Sequence, residues 1–233
     1  REIEGSLKRL GTDYLDLYII HRFDYDTPIE ETMEALNDLV VSGKVRAIGA
    51  SAMYGYQFYN MQLAARDHGW AQFVAMENHY NLLYREDERE LIPICRQMNV
   101  SLMPYSPLAA GHLTRPEWNS DSLRSRTDRA AMGKYDRTQE QDMEIVRRVH
   151  SLAEKYGVKM QQIALAWEWA KGVTAPIIGA TKASHFDDAA GAFLVKLTEE
   201  DIAFLEEPYL PHRIVGAIGS NPPEGTKLLD VKK

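Results

Sequence analysis

The sequence has 233 residues, 45% of them hydrophobic, and its 27 Lys and Arg against 34 Asp and Glu give a formal net charge of −7. This composition can form a sizeable hydrophobic core, but its acidic balance argues against nucleic-acid or membrane-surface partners, which are held by clustered basic residues. A single cysteine, Cys95, excludes an intrachain disulfide framework, and together with the absence of any membrane-length apolar run or signal peptide it predicts a cytoplasmic protein.

Short apolar segments alternate with segments of helical periodicity along most of the chain. Strands are predicted over residues 14–20, 45–50, 72–76, 100–103 and 174–178. Helices are predicted over residues 1–10, 28–42, 54–68, 87–98, 145–156 and 160–171, and from Ser184 and Thr198 onward, with Thr27 as the N-cap before Pro28. Residues 105–138 have no period of their own, and we expect 115–138 to be mobile without a cofactor. The tail from Pro208 is expected to be irregular.

This alternation predicts an α/β fold with a parallel sheet, because each crossover helix returns the chain to the same end of the sheet. The five predicted strands suit either a small open sheet or part of a closed barrel. Open sheets of this kind usually carry a glycine-rich phosphate loop after a strand, and this sequence has none. The absence favours the barrel.

In a parallel barrel the reactive groups lie at the carboxyl ends of the strands. Those positions hold His21, Ser51 and residues 77–81, 105–108 and 179–182. Each of these residues could instead have a purely structural role, such as an ordinary hydrogen bond or a turn. Gly179, Thr181 and Lys182 lie just before a predicted helix, and this arrangement suits the binding of an anion. Asp24 or Asp26 with Glu77 would suit a barrel hydrolase. The other histidines lack metal-ligand spacing, so no metal site is expected.

Five segments at these strand ends resemble successive signatures of the aldo-keto reductases. They are LDLYIIH (15–21), GKVRAIGAS (43–51), HYNLLYR (79–85), PYSPLAAGHLT (104–114) and PIIGATK (176–182). The resemblance runs in order from residue 1 to about residue 215. Residues 21–31 and 207–212 resemble the bacterial branch that contains the reductase named as a 1-deoxyxylulose-5-phosphate synthase.

The resemblance implies a (β/α)8 TIM barrel that reduces a small-molecule carbonyl substrate, an aldehyde or ketone, with NADPH. His21 would donate a hydrogen bond to the substrate carbonyl, and Tyr105 would stack on the nicotinamide. Ser51 and Glu77 would lie at the nicotinamide, although Ala52 and Glu77 replace the Asn and Gln of many members. The remaining cofactor contacts are implied for Ser106, Leu108 and Ala109 at the pyrophosphate and for Gly179, Thr181, Lys182 and Asp188 at the adenosine end.

The family's catalytic tyrosine, lysine and aspartate come from the first three βα units, for which about 90 residues would have to precede Arg1. We therefore expect residues 1–215 to form the last five-eighths of a barrel, followed by an irregular tail over 216–233, and the chain alone to be inactive. Exposed sheet edges would then favour aggregation or completion by a partner, including a homo-oligomer. A fragment that binds nucleotide without turnover is the alternative function.

Overall fold

A computed structural model describes residues 2–118 and 127–218. The described residues divide into two compact units, of which unit 1 comprises residues 2–78 and 88–101, and unit 2 comprises residues 79–87, 102–118 and 127–218. In the described part of the chain no helix has the length and apolar character needed to cross a membrane. The predicted division at residue 215 stays a prediction, as does the mobility of 115–138, part of which lies outside the described residues.

Unit 1 contains a parallel sheet covered by helices, so the predicted α/β alternation is confirmed there. Its strands are β1 (Leu15–Ile19), β2 (Val45–Ser51) and β3 (Phe73–Glu77). Its helices are α1 (Glu2–Leu10), α2 (Ile29–Val41), α3 (Gly55–His68) and α4 (Leu91–Gln97). β2 lies between β1 and β3, and both ladders are parallel.

The core of unit 1 forms where the apolar faces of these helices meet the sheet. Met33, Ile48, Phe58 and Met76 are completely buried there. Gln62 is buried as well, and its amide accepts from the backbone N–H of Phe73 at 2.8 Å and donates to its carbonyl oxygen at 3.0 Å. These two hydrogen bonds satisfy the backbone N–H and carbonyl of the first residue of β3, which is also the ladder partner of Ile48. Cys95 is a buried residue of α4.

Two helix starts in this part of the chain differ from prediction. Thr27 does not cap α2: its hydroxyl donates to the Asp24 carboxylate at 2.7 Å, and Pro28 takes the cap position instead. The helix predicted over 87–98 is replaced by a 3-10 turn over Glu86–Arg89 followed by α4. Because proline lacks an N–H and fits only the first helical turn, Pro93 requires a helix that begins just ahead of it.

Unit 2 is mainly helical. Its helices are α5 (Arg129–Tyr135), α6 (Gln139–Tyr156), α7 (Met160–Ala170), α8 (Ser184–Gly191) and α9 (Glu199–Glu206). Short 3-10 turns cover Ala109–Thr114, Asp136–Thr138, Ala192–Leu194 and Gly216–Ile218. The short strand β4 (Ser101–Leu102) falls where unit 1 passes into unit 2 along the sequence. The predicted cap of α9 is confirmed, since the Thr198 hydroxyl accepts from Asp201 N–H.

Two predictions for unit 2 were wrong. Residues 174–178 form no regular strand: Ile177 makes one parallel bridge with Tyr105, and its N–H donates to the Pro104 carbonyl at 2.8 Å. Pro176 cannot donate to a ladder, which limits the pairing of this segment. Residues 105–138 do contain a helix, α5, and its N-cap Asp128 accepts from Ala131 N–H at 3.0 Å.

Candidate active site

The predicted site residues of unit 1 share one edge of its sheet. Ser51 and Glu77 end β2 and β3 and are paired in the parallel ladder, while His21 follows β1 by two residues. The Ser51 hydroxyl donates to the backbone carbonyl of Glu77 at 2.8 Å. Because parallel strands end on the same side, the sheet brings these three residues to a common edge. The roles expected of them stay predictions.

Burial and the neighbouring His21 act on the Glu77 carboxyl in opposite directions. Burial raises the pKa of the Glu77 carboxyl above its ordinary value, and the positive charge of the His21 imidazole lowers it to a smaller extent. Glu77 therefore keeps its proton to higher pH than an exposed carboxyl does. A protonated carboxyl can both donate and accept a hydrogen bond, as a glutamine amide can.

Asp24, the carboxylate considered for a hydrolase, is engaged in its own turn. It accepts from the Thr27 hydroxyl at 2.7 Å and from the Asp26 N–H at 2.9 Å. The Thr27 hydrogen bond is the main reason that the pKa of Asp24 is lowered. A glycosidase acid needs a raised pKa, so Asp24 does not suit the role of the acid. The pairing of Asp24 with Glu77 in a hydrolase stays a prediction.

In unit 2, Tyr105 belongs to an aromatic stack. The His79 imidazole lies parallel to the Tyr105 ring, with ring centroids 5.2 Å apart and an angle of 8° between the planes. The backbones of the two residues form a parallel bridge. Nζ of Lys134 lies 4.8 Å from the centroid of the Tyr105 ring, and burial lowers the pKa of this lysine. The ring is therefore fixed by groups from separate segments.

The loop that follows Tyr105 has a left-handed backbone. Ser106, Ala109 and Ala110 have φ angles of 59°, 46° and 56°, which are unfavourable for residues other than glycine. Such strain concentrates at functional sites. Ala109 is completely buried and Leu108 packs on the core cluster of Leu165, Ala189 and Ala192, so a phosphate would meet the backbone of this loop rather than those two side chains.

The residues predicted for the adenosine end lie just before and within α8. Gly179, Thr181 and Lys182 are exposed, and no carboxylate of the described residues pairs with Lys182. A side-chain carbon added at Gly179 would touch nothing within 4 Å, so the approach is open. Asp188 differs from expectation, because its carboxylate already accepts from Lys159 Nζ at 2.6 Å. Contact between Asp188 and an adenine stays a prediction.

Sequence reasoning missed Lys134 and Tyr135, which lie near Tyr105. His79 and Asn81 were included in the strand-end segment 77–81, but neither was given a specific role. Lys134 and Tyr135 fall in the segment that showed no period. The sequence signal that could have identified Lys134 and Tyr135 is the N-cap residue Asp128, which predicts the start of α5, the helix that contains both.

The comparison with known families agrees with this arrangement. The family model described as "Aldo/keto reductase family" matches residues 1–209. The chain belongs to the aldo/keto reductase family. The parallel α/β sheet of unit 1 is consistent with the (β/α)8 barrel of that family, whereas the closed barrel and the three preceding units stay predictions.

Curated relatives of this aldo/keto reductase chain come from fungi. A Schizosaccharomyces pombe protein named "Putative aryl-alcohol dehydrogenase C977.14c" is 50% identical over 93% of this chain and 61% of its own length. The "Versiconal hemiacetal acetate reductase" of Aspergillus parasiticus is 45% identical over 91% of this chain and 62% of its own. "Aldo-keto reductase NECHADRAFT_45914" of Fusarium vanettenii is 47% identical over 92% and 58%. The chain thus spans about three-fifths of these relatives, and the bacterial branch stays a prediction.

Proposed function

We propose that the full-length protein reduces aldehydes or ketones to alcohols with NADPH as the hydride source. Membership of the aldo/keto reductase family supports this reaction class, as do relatives named as reductases and as an aryl-alcohol dehydrogenase. The observation in this chain that carries the proposal is the Tyr105 ring, which lies parallel to the His79 ring and precedes a loop whose backbone is left-handed at Ser106, Ala109 and Ala110. An aromatic face beside a strained loop of small residues suits a nicotinamide and its diphosphate.

The chain's own residues fit this cofactor. Bound NADPH would supply the hydride. Tyr105 would hold the nicotinamide ring, and the backbone of residues 106–111 would face the diphosphate. Thr181 and Lys182 would bind the 2′-phosphate, because an exposed lysine without a carboxylate partner among the described residues is available for an anion. Binding of the 2′-phosphate by these two residues predicts a preference for NADPH over NADH, because NADH lacks that phosphate.

His21 would donate a hydrogen bond to the carbonyl oxygen and so stabilise the negative charge that develops there as hydride arrives. Glu77 stands where many family members have glutamine. Burial favours its protonated form, which can hold an amide group as glutamine does. We also infer a cytoplasmic location, and expect the 233-residue chain alone to bind nucleotide without turnover.

Aldehyde-dependent oxidation of NADPH by the full-length protein tests this function. We expect loss of the reduced-nicotinamide absorbance with small aldehydes, faster with NADPH than with NADH at equal concentration. His21→Ala should lower kcat by about a hundredfold, the order of magnitude for removing one oxyanion donor. His68→Ala, at an exposed histidine of α3, should leave it unchanged. A full-length protein that neither binds nor oxidises NADPH would refute the proposal.

A further inference from the structure

We propose that His79 is a positioning residue, whose ring backs Tyr105 and fixes the plane that receives the nicotinamide. The inference rests on the function proposed above and adds to it a residue that would touch neither cofactor nor substrate. Three features support it: the stacking of the imidazole, its anchoring within its own plane, and its uncharged state.

The stack extends beyond Tyr105. His79 also lies parallel to Tyr84, with centroids 4.1 Å apart and an angle of 15° between the planes. The Tyr84 hydroxyl in turn accepts from the N–H of Val215 at 3.4 Å. His79 is thus parallel to two tyrosine rings, and only 5% of it is exposed. A ring packed in this way cannot tilt without displacing its neighbours, so its plane constrains that of Tyr105.

A buried hydrogen-bond chain stops the imidazole from turning within the stack. Its Nε2 lies 2.7 Å from the Tyr135 hydroxyl, which accepts from Asn81 Nδ2 at 3.1 Å. Asn81 Nδ2 also donates to the Ser106 carbonyl at 2.9 Å. Since the Tyr135 oxygen accepts from Asn81, its own proton can be donated to His79. The same chain therefore holds both the imidazole and the residue next to Tyr105.

The surroundings of the imidazole favour its neutral form, in which Nε2 can act as an acceptor. Burial lowers the pKa of His79 well below its ordinary value, and the charges of Lys134 and His212 act in the same direction. A neutral Nε2 can accept the Tyr135 proton, and a neutral ring avoids the cost of burying a cation. The group under Tyr105 is therefore a flat, uncharged ring.

Two substitutions of His79 distinguish the contribution of its flat ring from that of its hydrogen bond with Tyr135. His79→Ala and His79→Phe both leave the Tyr135 hydroxyl without its acceptor, but only His79→Phe keeps a flat ring under Tyr105. In the full-length protein, equilibrium titrations would measure the affinity for NADPH and for its adenosine bisphosphate fragment, which lacks the nicotinamide. His68→Ala is the control, because His68 stacks on Trp70 at 4.3 Å on the surface of unit 1.

We expect His79→Ala to weaken NADPH binding by roughly three- to tenfold, the scale of one aromatic pair, and to leave the fragment's affinity unchanged. His79→Phe should keep most of the affinity for NADPH that His79→Ala loses. A merely structural role would weaken both ligands equally, and that result would overturn the inference, as would NADPH affinity that is unchanged in His79→Ala. Failure of the unsubstituted full-length protein to bind NADPH would instead refute the proposed function.

Discussion

The Nε2 atom of His212 lies 3.1 Å from each carboxylate oxygen of Asp142. Asp142 is completely buried near the start of α6 and also accepts from the Thr138 hydroxyl at 2.6 Å. The backbone N–H of His212 donates to Glu86 at 2.8 Å. The tail that begins at Pro208 is irregular over its described residues, apart from one 3-10 turn, yet it is tied to the interior of unit 2.

His212→Ala should therefore destabilise the protein strongly. The substitution removes one hydrogen-bond partner of the completely buried Asp142 side chain, which costs about 1 to 3 kcal/mol for a buried polar group left unsatisfied. Urea denaturation of the full-length protein measures the change. His68→Ala, at an exposed histidine, should shift the midpoint little, and an equally small shift in His212→Ala would contradict this assignment.

Ala110→Gly should stabilise the protein, although alanine is normally the better residue. A left-handed backbone costs a non-glycine residue about 1 to 2 kcal/mol, and part of that gain is offset by the greater freedom of glycine in the unfolded chain. The same change at Ala203, exposed in α9, should destabilise by about 1 kcal/mol. Thermal unfolding of the Ala110→Gly and Ala203→Gly variants measures both effects. If the two midpoint temperatures shift in the same direction, Ala110 is not strained.

Glu168→Met should raise stability at neutral pH by about 1 to 3 kcal/mol, the cost of burying an unsatisfied polar group. Glu168 lies fully buried on α7, and neither carboxyl oxygen has a hydrogen-bond partner among the described residues. Burial raises the pKa of Glu168 well above its ordinary value of 4.5.

The sign of the pH dependence follows from that shift. The native state keeps the Glu168 proton to higher pH than the unfolded state, so this group makes stability fall as pH rises from about 4.5 through the raised pKa. Glu168→Met should remove that component from denaturation curves measured across this range. If the free energy of unfolding changes with pH in the same way in the unsubstituted protein and in Glu168→Met, Glu168 is not the source of this pH dependence.

Periodicity and glycine positions were enough to predict most helices and the parallel strands, because those signals act locally. Gly69 and Gly157, for example, end α3 and α6 with left-handed φ angles of 71° and 64°. The left-handed loop at Ala109 and Ala110 carried no such signal, since alanine does not favour that conformation. The stack of His79 on Tyr105 joins residues from separate segments, and neither residue type predicts the other.

Lys182→Ala should reduce the preference for NADPH over NADH. Loss of one charge-assisted contact with the 2′-phosphate should weaken NADPH binding by about tenfold or more and leave NADH binding unchanged. Lys196→Ala removes another exposed lysine and serves as the control. Equal weakening of both dinucleotides would assign Lys182 to a different role.

Isotope transfer addresses the proposed reaction itself. The full-length protein would be incubated with an aldehyde and NADPH in which both hydrogens of the reactive nicotinamide carbon are replaced by deuterium, and mass spectrometry would follow the alcohol. We predict one deuterium in each product molecule, transferred more slowly by Tyr105→Leu than by the unsubstituted protein. An alcohol without deuterium, or no alcohol at all, would contradict hydride transfer from a nicotinamide held on Tyr105.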